Sequence, residues 1–355
     1  MKKALDDFME ASSSTLDSTI GSQETINENE QSYHKAITTV TGPIAPEEIG
    51  FCHSHEHLFL KKGPAAEIDS SLQIDDFDKT VQELNLFQSV GGTTIVDAQP
   101  IGSGRHSQWL MAASQQTGVQ VVASTGFHKF MFYPENHWIR TVDADTLTEL
   151  FVNELESGMY TDGEEVWPEE QIAARAGLIK TASDYEGVGG LYYRLFKAAS
   201  QAAIATGAPI MSHTELGYGA LDQIKLFTDI GVTPSQLIIC HLDRKMDNVD
   251  YMLHVASTGV YLELDTIGRF KYHSDEEEIQ LILKLIEAGY ENQLLLGLDT
   301  TRKRLKSYGG NLGLDYLVNT FLPKLEACGV SKNLIRKFMH ENPAKAFSKR
   351  IATTK

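Results

Sequence analysis

Eight short apolar runs punctuate this chain, and each is followed by a longer segment with helical spacing. The runs are GFCHSHEH, TTIVDA, VQVVASTG, AGLIKTAS, APIMSHTE, LIICHLD, GVYLELD and QLLLGLD. Short, continuous and apolar, they predict buried strands. Between them, segments such as DDFDKTVQELNLFQSVG and LYYRLFKAASQAAIATG place apolar residues three and four apart, as one helix face requires. Several of these segments end in glycine just before the next strand, where a left-handed residue closes a helix. Strand–helix alternation implies a parallel sheet, and eight repeats is the number that closes a barrel. The expected fold class is therefore α/β, a (β/α)8 TIM barrel. A doubly wound open sheet would carry a Gly-rich phosphate loop after its first strand, but HSHEHLFLKKG stands there.

A length of 355 residues suits one barrel domain. Residues 1–36, rich in Ser, Thr, Asn, Gln and acids, read as a polar N-terminal extension, and 37–355 as the barrel. The stretch from Gly126 to Ala173 is long for a loop and is expected to act as a lid or specificity segment, with a short helix around DADTLTELFVNELE. No run of eighteen apolar residues is present, so no membrane span is expected. The start, MKKALDDFMEASSS, lacks the apolar core of a signal peptide. Cys52, Cys240 and Cys328 lie far apart, a poor disulfide framework that fits a reducing compartment, so a cytoplasmic location is expected. Cys52 and Cys240 sit in apolar runs and read as small buried hydrophobes. The net charge of −17 argues against nucleic-acid binding, which needs a basic face, but leaves room for a small anion in a locally basic pocket.

Polar side chains recur where these strands end. They are His55 and His57 in HSHEHL, Lys180 in AGLIKTAS, His213 in PIMSHTE, His241 in IICHLD and Asp299 in LLLGLD. Barrel enzymes place their chemistry at that face. Four histidines and an aspartate buried there without partners would be costly, and a shared metal centre meets the cost. Strand residues two apart share a face, so one metal can take both His55 and His57, and His53 shares their parity. Lys180 alone would read as a lysine reaching for solvent.

The segments VTGPIAPEEIGFCHSHEHL, AGLIKTAS, the HTE strand, HLDRKMDNVDYMLHVASTGVYLELDTIG, GLDTTRK and ENPAKAF resemble phosphotriesterase-family proteins of the amidohydrolase superfamily. The resemblance runs from about residue 38 to 350. It implies two divalent metal ions (zinc, manganese or cobalt), one on His55, His57 and Asp299 and the other on His213 and His241. Carboxylated Lys180 and a hydroxide would bridge them. The bridging hydroxide is the implied nucleophile, and Asp299 the implied catalytic proton shuttle. Barrels of this family often pair, which makes a homodimer an expectation of the resemblance alone.

Basic residues cluster after the strands: Lys129, Arg244, Lys245, Arg269, Lys271, Arg302, Lys303 and Arg304. On an acidic chain this points to a small anionic substrate. Lys245, Arg269 and Arg302 are the expected phosphate contacts, and His128, Lys129 and Tyr272 further substrate contacts. The loops HLDRK, DTIGR and DTTRK resemble the branch that hydrolyses phosphorylated sugar lactones. The reading is a phospho-furanose lactonase acting on a substrate such as a pentono-1,4-lactone 5-phosphate. A phosphotriesterase or general lactonase is the second reading. A non-catalytic metal-binding barrel is the third, and the intact ligand set argues against it.

Overall fold

The computed structural model of the protein describes residues 33–352. Most of the expected extension lies outside the described residues, and its last four residues open a strand. Eight parallel strands form the central sheet: β3 (Phe51–Glu56), β4 (Gly92–Asp97), β5 (Gln120–Gly126), β8 (Leu178–Ala182), β9 (Ile210–His213), β10 (Leu237–Cys240), β11 (Tyr261–Leu264) and β12 (Leu294–Leu296). Each coincides with one of the eight apolar runs, β4 starting one residue ahead of TTIVDA, in sequence order around the sheet. The architecture is the TIM barrel that the alternation implied. At the seam between β12 and β3, the Asp299 N–H donates to the His55 carbonyl and Ser54 Oγ donates to the Leu296 carbonyl. Gly297 makes that approach possible, because a Cβ there would lie 3.0 Å from the His55 backbone.

Helices cover the barrel, and their ends follow local chemistry. Asp76, Asp143 and Asn248 accept backbone N–H groups at three N-termini, and Ser274 with Glu277 forms a capping box. Gly118, Gly207 and Gly231 close three C-termini in left-handed conformation. Inside the barrel, Cys52, Val96, Val122, Leu178, Met211, Ile238 and Leu295 form an apolar floor. Below it, an antiparallel sheet of β13 (Lys349–Ala352), β1 (Tyr33–Thr39) and β2 (Gly42–Ile44) covers the N-terminal end, with Ile37 packed into the floor. This cap was absent from the sequence reading.

The segment after β5 is more fully built than a free lid. It contains the helix Ala144–Glu156, where one was expected, and a small hairpin, β6 (Met159–Tyr160) with β7 (Gln171–Ile172). Arg105 grips Glu154 with both terminal guanidinium nitrogens and donates to the Ser124 carbonyl in a buried setting, and also donates to the part-buried Tyr160 carbonyl. No helix among the described residues is long and apolar enough to cross a membrane.

Candidate metal centre

The C-terminal strand ends bring the sequence-selected ligands together above the apolar floor. His55 Nε2 lies 3.8 Å and His57 Nε2 3.3 Å from Asp299 Oδ1, so one ion can reach all three. His213 Nδ1 and His241 Nε2 are 2.7 Å apart. Lys180 Nζ lies 3.4 Å from His55 Nε2 and 3.8 Å from Cys240 Sγ, and among the described residues its hydrogen bonds reach no carboxylate. All six residues are buried. Among the described residues, three non-glycine residues have positive φ, Leu216 at 54°, His241 at 66° and Asp299 at 46°; two of them are candidate ligand positions.

His53 faces away from this cluster, against its expected parity. An irregularity in the β3–β4 register between His53 and Glu56 shifts the alternation. Its ring packs edge-on against Phe87 at 4.6 Å, and its Nδ1 pairs with Glu56 Oε1 at 2.9 Å.

Beneath the ligands is a carboxylate layer that sequence reasoning did not select. Glu263 Oε2 accepts from His55 Nδ1 at 2.9 Å and from the Cys240 thiol at 3.1 Å. Burial pushes that thiol up to about 12, so it is a donor rather than a thiolate, and Cys240 is more than the inert hydrophobe expected. Asp265 Oδ1 accepts from His241 Nδ1 at 2.7 Å. In a neutral ring, a nitrogen that donates to a carboxylate leaves the other as a lone pair, so Nε2 of His241 is available as a ligand. For His55, burial and Lys180 oppose the charged form, but Glu263 and Asp265 outweigh them and raise it well above its ordinary value, and its Nε2 still faces the site. Burial, then the charge of Arg244, hold His213 and His241 well below the ordinary histidine value, in the neutral form a metal requires. Among the described residues the buried His57 Nδ1 has no partner, while Nε2 faces Asp299. Four imidazoles, a carboxylate and a central buried lysine fit a pair of divalent ions.

The basic residues divide in two. Arg244 and Arg269 reach inward, and both donate to Asp299 Oδ2, Arg244 at 2.5 Å. Burial opposes ionisation of Asp299, but Arg269 and Arg244 outweigh it and hold the carboxyl well below its usual range. Both guanidinium groups lie over the Tyr272 ring, at 5.4 and 5.6 Å. Lys129 pairs with Glu215 at 2.6 Å beside His213, and the His128 ring is 5.3 Å from that of His213. Lys245 instead turns outward to the Tyr218 hydroxyl and Asp247. Arg302 lies over Tyr308, whose hydroxyl bonds to Thr80 at the start of the helix Phe77–Ser89. Arg244, grouped with the other cations in the sequence but not selected, takes the position expected of Lys245. The Arg304 guanidinium is a strut, donating to the Leu298, Asp299 and Ile267 carbonyls.

The model of the Phosphotriesterase family matches residues 35–347. The chain is 31% identical over 325 residues to the phospho-furanose lactonase of Mycoplasmopsis synoviae, a match that covers 89% of this chain and 92% of that one. Its structure is similar to that of a lactonase from Listeria monocytogenes, with a TM-score of 0.80 and 32% identity, covering 88% of this chain and 98% of the other. It is also similar to the phosphotriesterase homology protein of Escherichia coli, solved with phosphate in its active site. That match has a TM-score of 0.76 and 31% identity, and covers 84% of this chain and 99% of the other.

Proposed function

The chain belongs to the phosphotriesterase family, and from that premise we propose that it opens the ring of a phosphorylated sugar lactone, such as a pentono-1,4-lactone 5-phosphate. As a family member it is a metal-dependent hydrolase of ester bonds. The observation that carries the substrate reading is the convergence of Arg244 and Arg269 over Tyr272, beside Asp299, on a chain of net charge −17. A phosphorylated lactonase among its relatives, and the phosphate in the active site of the E. coli structure, support the same reading.

His55, His57 and Asp299 would hold one divalent ion (zinc, manganese or cobalt) and His213 and His241 a second, with carboxylated Lys180 between them. Bound there, the ions supply Lewis acidity, acidifying water and polarising the ester carbonyl. Glu263 and Asp265 fix the tautomers of His55 and His241. Arg244 and Arg269 take the phosphate, and Tyr272 backs both guanidinium planes. Asp299 accepts the proton of the attacking water and delivers it to the ring oxygen as the carbonyl carbon–ring oxygen bond breaks. The product is the open sugar acid phosphate. His128, neutral because burial and His213 push it well down, lines the site without adding charge. Lys129, already paired with Glu215, completes the wall near His213.

Charge reversal at Arg269 tests the assignment. Arg269→Glu should raise KM for a phosphorylated lactone by about tenfold to a hundredfold, the scale of one or two lost charge-assisted contacts. A neutral lactone or phosphotriester should lose less, since it feels only the loss of the Arg269–Asp299 pair and not the loss of a phosphate contact. Equal losses on both substrate types would remove the phosphate assignment and favour the general lactonase or phosphotriesterase reading.

A further inference from the structure

Behind the two arginines lies a second buried group of ligand-bearing side chains. Asp243 follows β10, His273 lies in the loop after β11, and Glu278 is in the first turns of the helix Asp275–Glu287. One ligand atom from each falls within 4.8 Å of the others, and all three residues are buried. His273 Nε2 is 3.2 Å from Glu278 Oε2 and 3.9 Å from Asp243 Oδ2. His273 Nδ1 lies 3.2 Å from the Ser274 carbonyl, which only accepts, so Nδ1 carries the proton. Nε2 therefore turns its lone pair toward the two carboxylates, with Thr266 Oγ1 also 3.1 Å away.

The carboxylates are poorly served. Among the described residues, neither oxygen of Glu278 has a hydrogen-bond partner, although the side chain is fully buried, and Asp243 Oδ1 also has none. Among the described residues, no lysine or arginine forms an ion pair with either. The nearby Lys324 bonds Asp275 and Glu276, and Arg244 bonds Asp299. Three buried acceptors facing one another call for a positive counter-charge between them, a metal cation or protons.

We propose that Asp243, His273 and Glu278 form a third cation site, separate from the dinuclear centre, for a divalent ion of the manganese or zinc class. One imidazole and two carboxylates suit such an ion. A cleft of about 520 Å3, bordered by Arg244, Tyr272 and His273, offers a route of entry. The ion's role follows from its neighbours. Asp243 precedes Arg244, and His273 follows Tyr272. Asp243 Oδ2 also accepts the Thr266 N–H at 2.6 Å. The cation ties the loop after β10 to the loop after β11, and so fixes the arginine pair from behind. Protons are the competing counter-charge, since burial and the neighbouring carboxylates push both acids upward, Asp243 to about 8.

The test uses the full chain, stripped of metal and reloaded with Mn2+. Crystals should show an anomalous peak about 2 Å from His273 Nε2, apart from peaks at His55 and His241. In solution, Glu278→Gln should bind one manganese fewer per chain than the wild type. A wild-type crystal with peaks at His55 and His241 but none at His273 overturns the proposal, as does equal metal content in the two proteins. The crystal decides even if the variant fails to fold. Peaks at the two centres are read separately, so failure of one is not failure of the other.

Discussion

Asp299 sits where three demands meet: it lies close to His55 and His57, accepts from Arg244 and Arg269, and occupies a strained backbone position. If it carries the proton, Asp299→Asn should lower kcat by about 10^2- to 10^4-fold. Because it is also placed as a ligand, metal content must be measured alongside; full metal loading with unchanged kcat would contradict the role. Glu263 offers a cleaner separation, since it touches His55 only through the ring nitrogen facing away from the site. Glu263→Gln should weaken metal affinity by about 10- to 100-fold, read by competition with a chelator. Retained affinity would assign Glu263 to packing alone. The candidate ligands were legible in the sequence because strand-end histidines, a lysine and an aspartate stand out against apolar runs. Glu263 was not legible. A lone glutamate in YLEL carries no periodicity that tells a buried orienting group from a solvent-facing one. The choice between Arg244 and Lys245 was equally closed, because a short 3-10 turn at Leu242–Arg244 decides which of the two turns inward. His53 misled for a related reason, since period-two alternation fails at a register shift.

At the scale of elements, all eight barrel strands lie where apolar runs were found, because buried parallel strands need continuous apolar sequence. The cap formed by β1, β2 and β13 was hidden. Two of its strands are short, and β1 and β13 lie about 310 residues apart in sequence, so no local pattern announces their pairing. The segment after β5 was long enough to suggest a lid, yet the Arg105–Glu154 pair and the helix Ala144–Glu156 anchor it to the barrel wall. Removing one partner leaves the other charge buried, so Arg105→Ala should cost about 3–5 kcal/mol of stability. Denaturant unfolding measures this, and a loss below about 1 kcal/mol would show the pair to be as weakly coupled as a surface salt bridge. At the edge of the same strand, Gly126 allows β5 to approach Lys180, because a Cβ there would lie within 2 Å of the Lys180 carbonyl oxygen. The position of the central lysine thus depends on a neighbour with no side chain.

For the molecule as a whole, charge is distributed unevenly. The chain carries −17 overall, yet two arginines point into the mouth of its barrel beside the candidate metal centre. That local reversal is the basis for assigning an anionic substrate, and it separates this reading from that of a neutral-ester hydrolase on the same fold. The most direct measurement is the hydrolysis rate of a panel of sugar lactones, each with and without its phosphate, by zinc- or manganese-loaded protein. The account predicts that phosphorylated five-carbon lactones turn over with kcat/KM far above their unphosphorylated counterparts, and above neutral phosphotriesters. Equal rates with and without phosphate, or a preference for the triester, would contradict it.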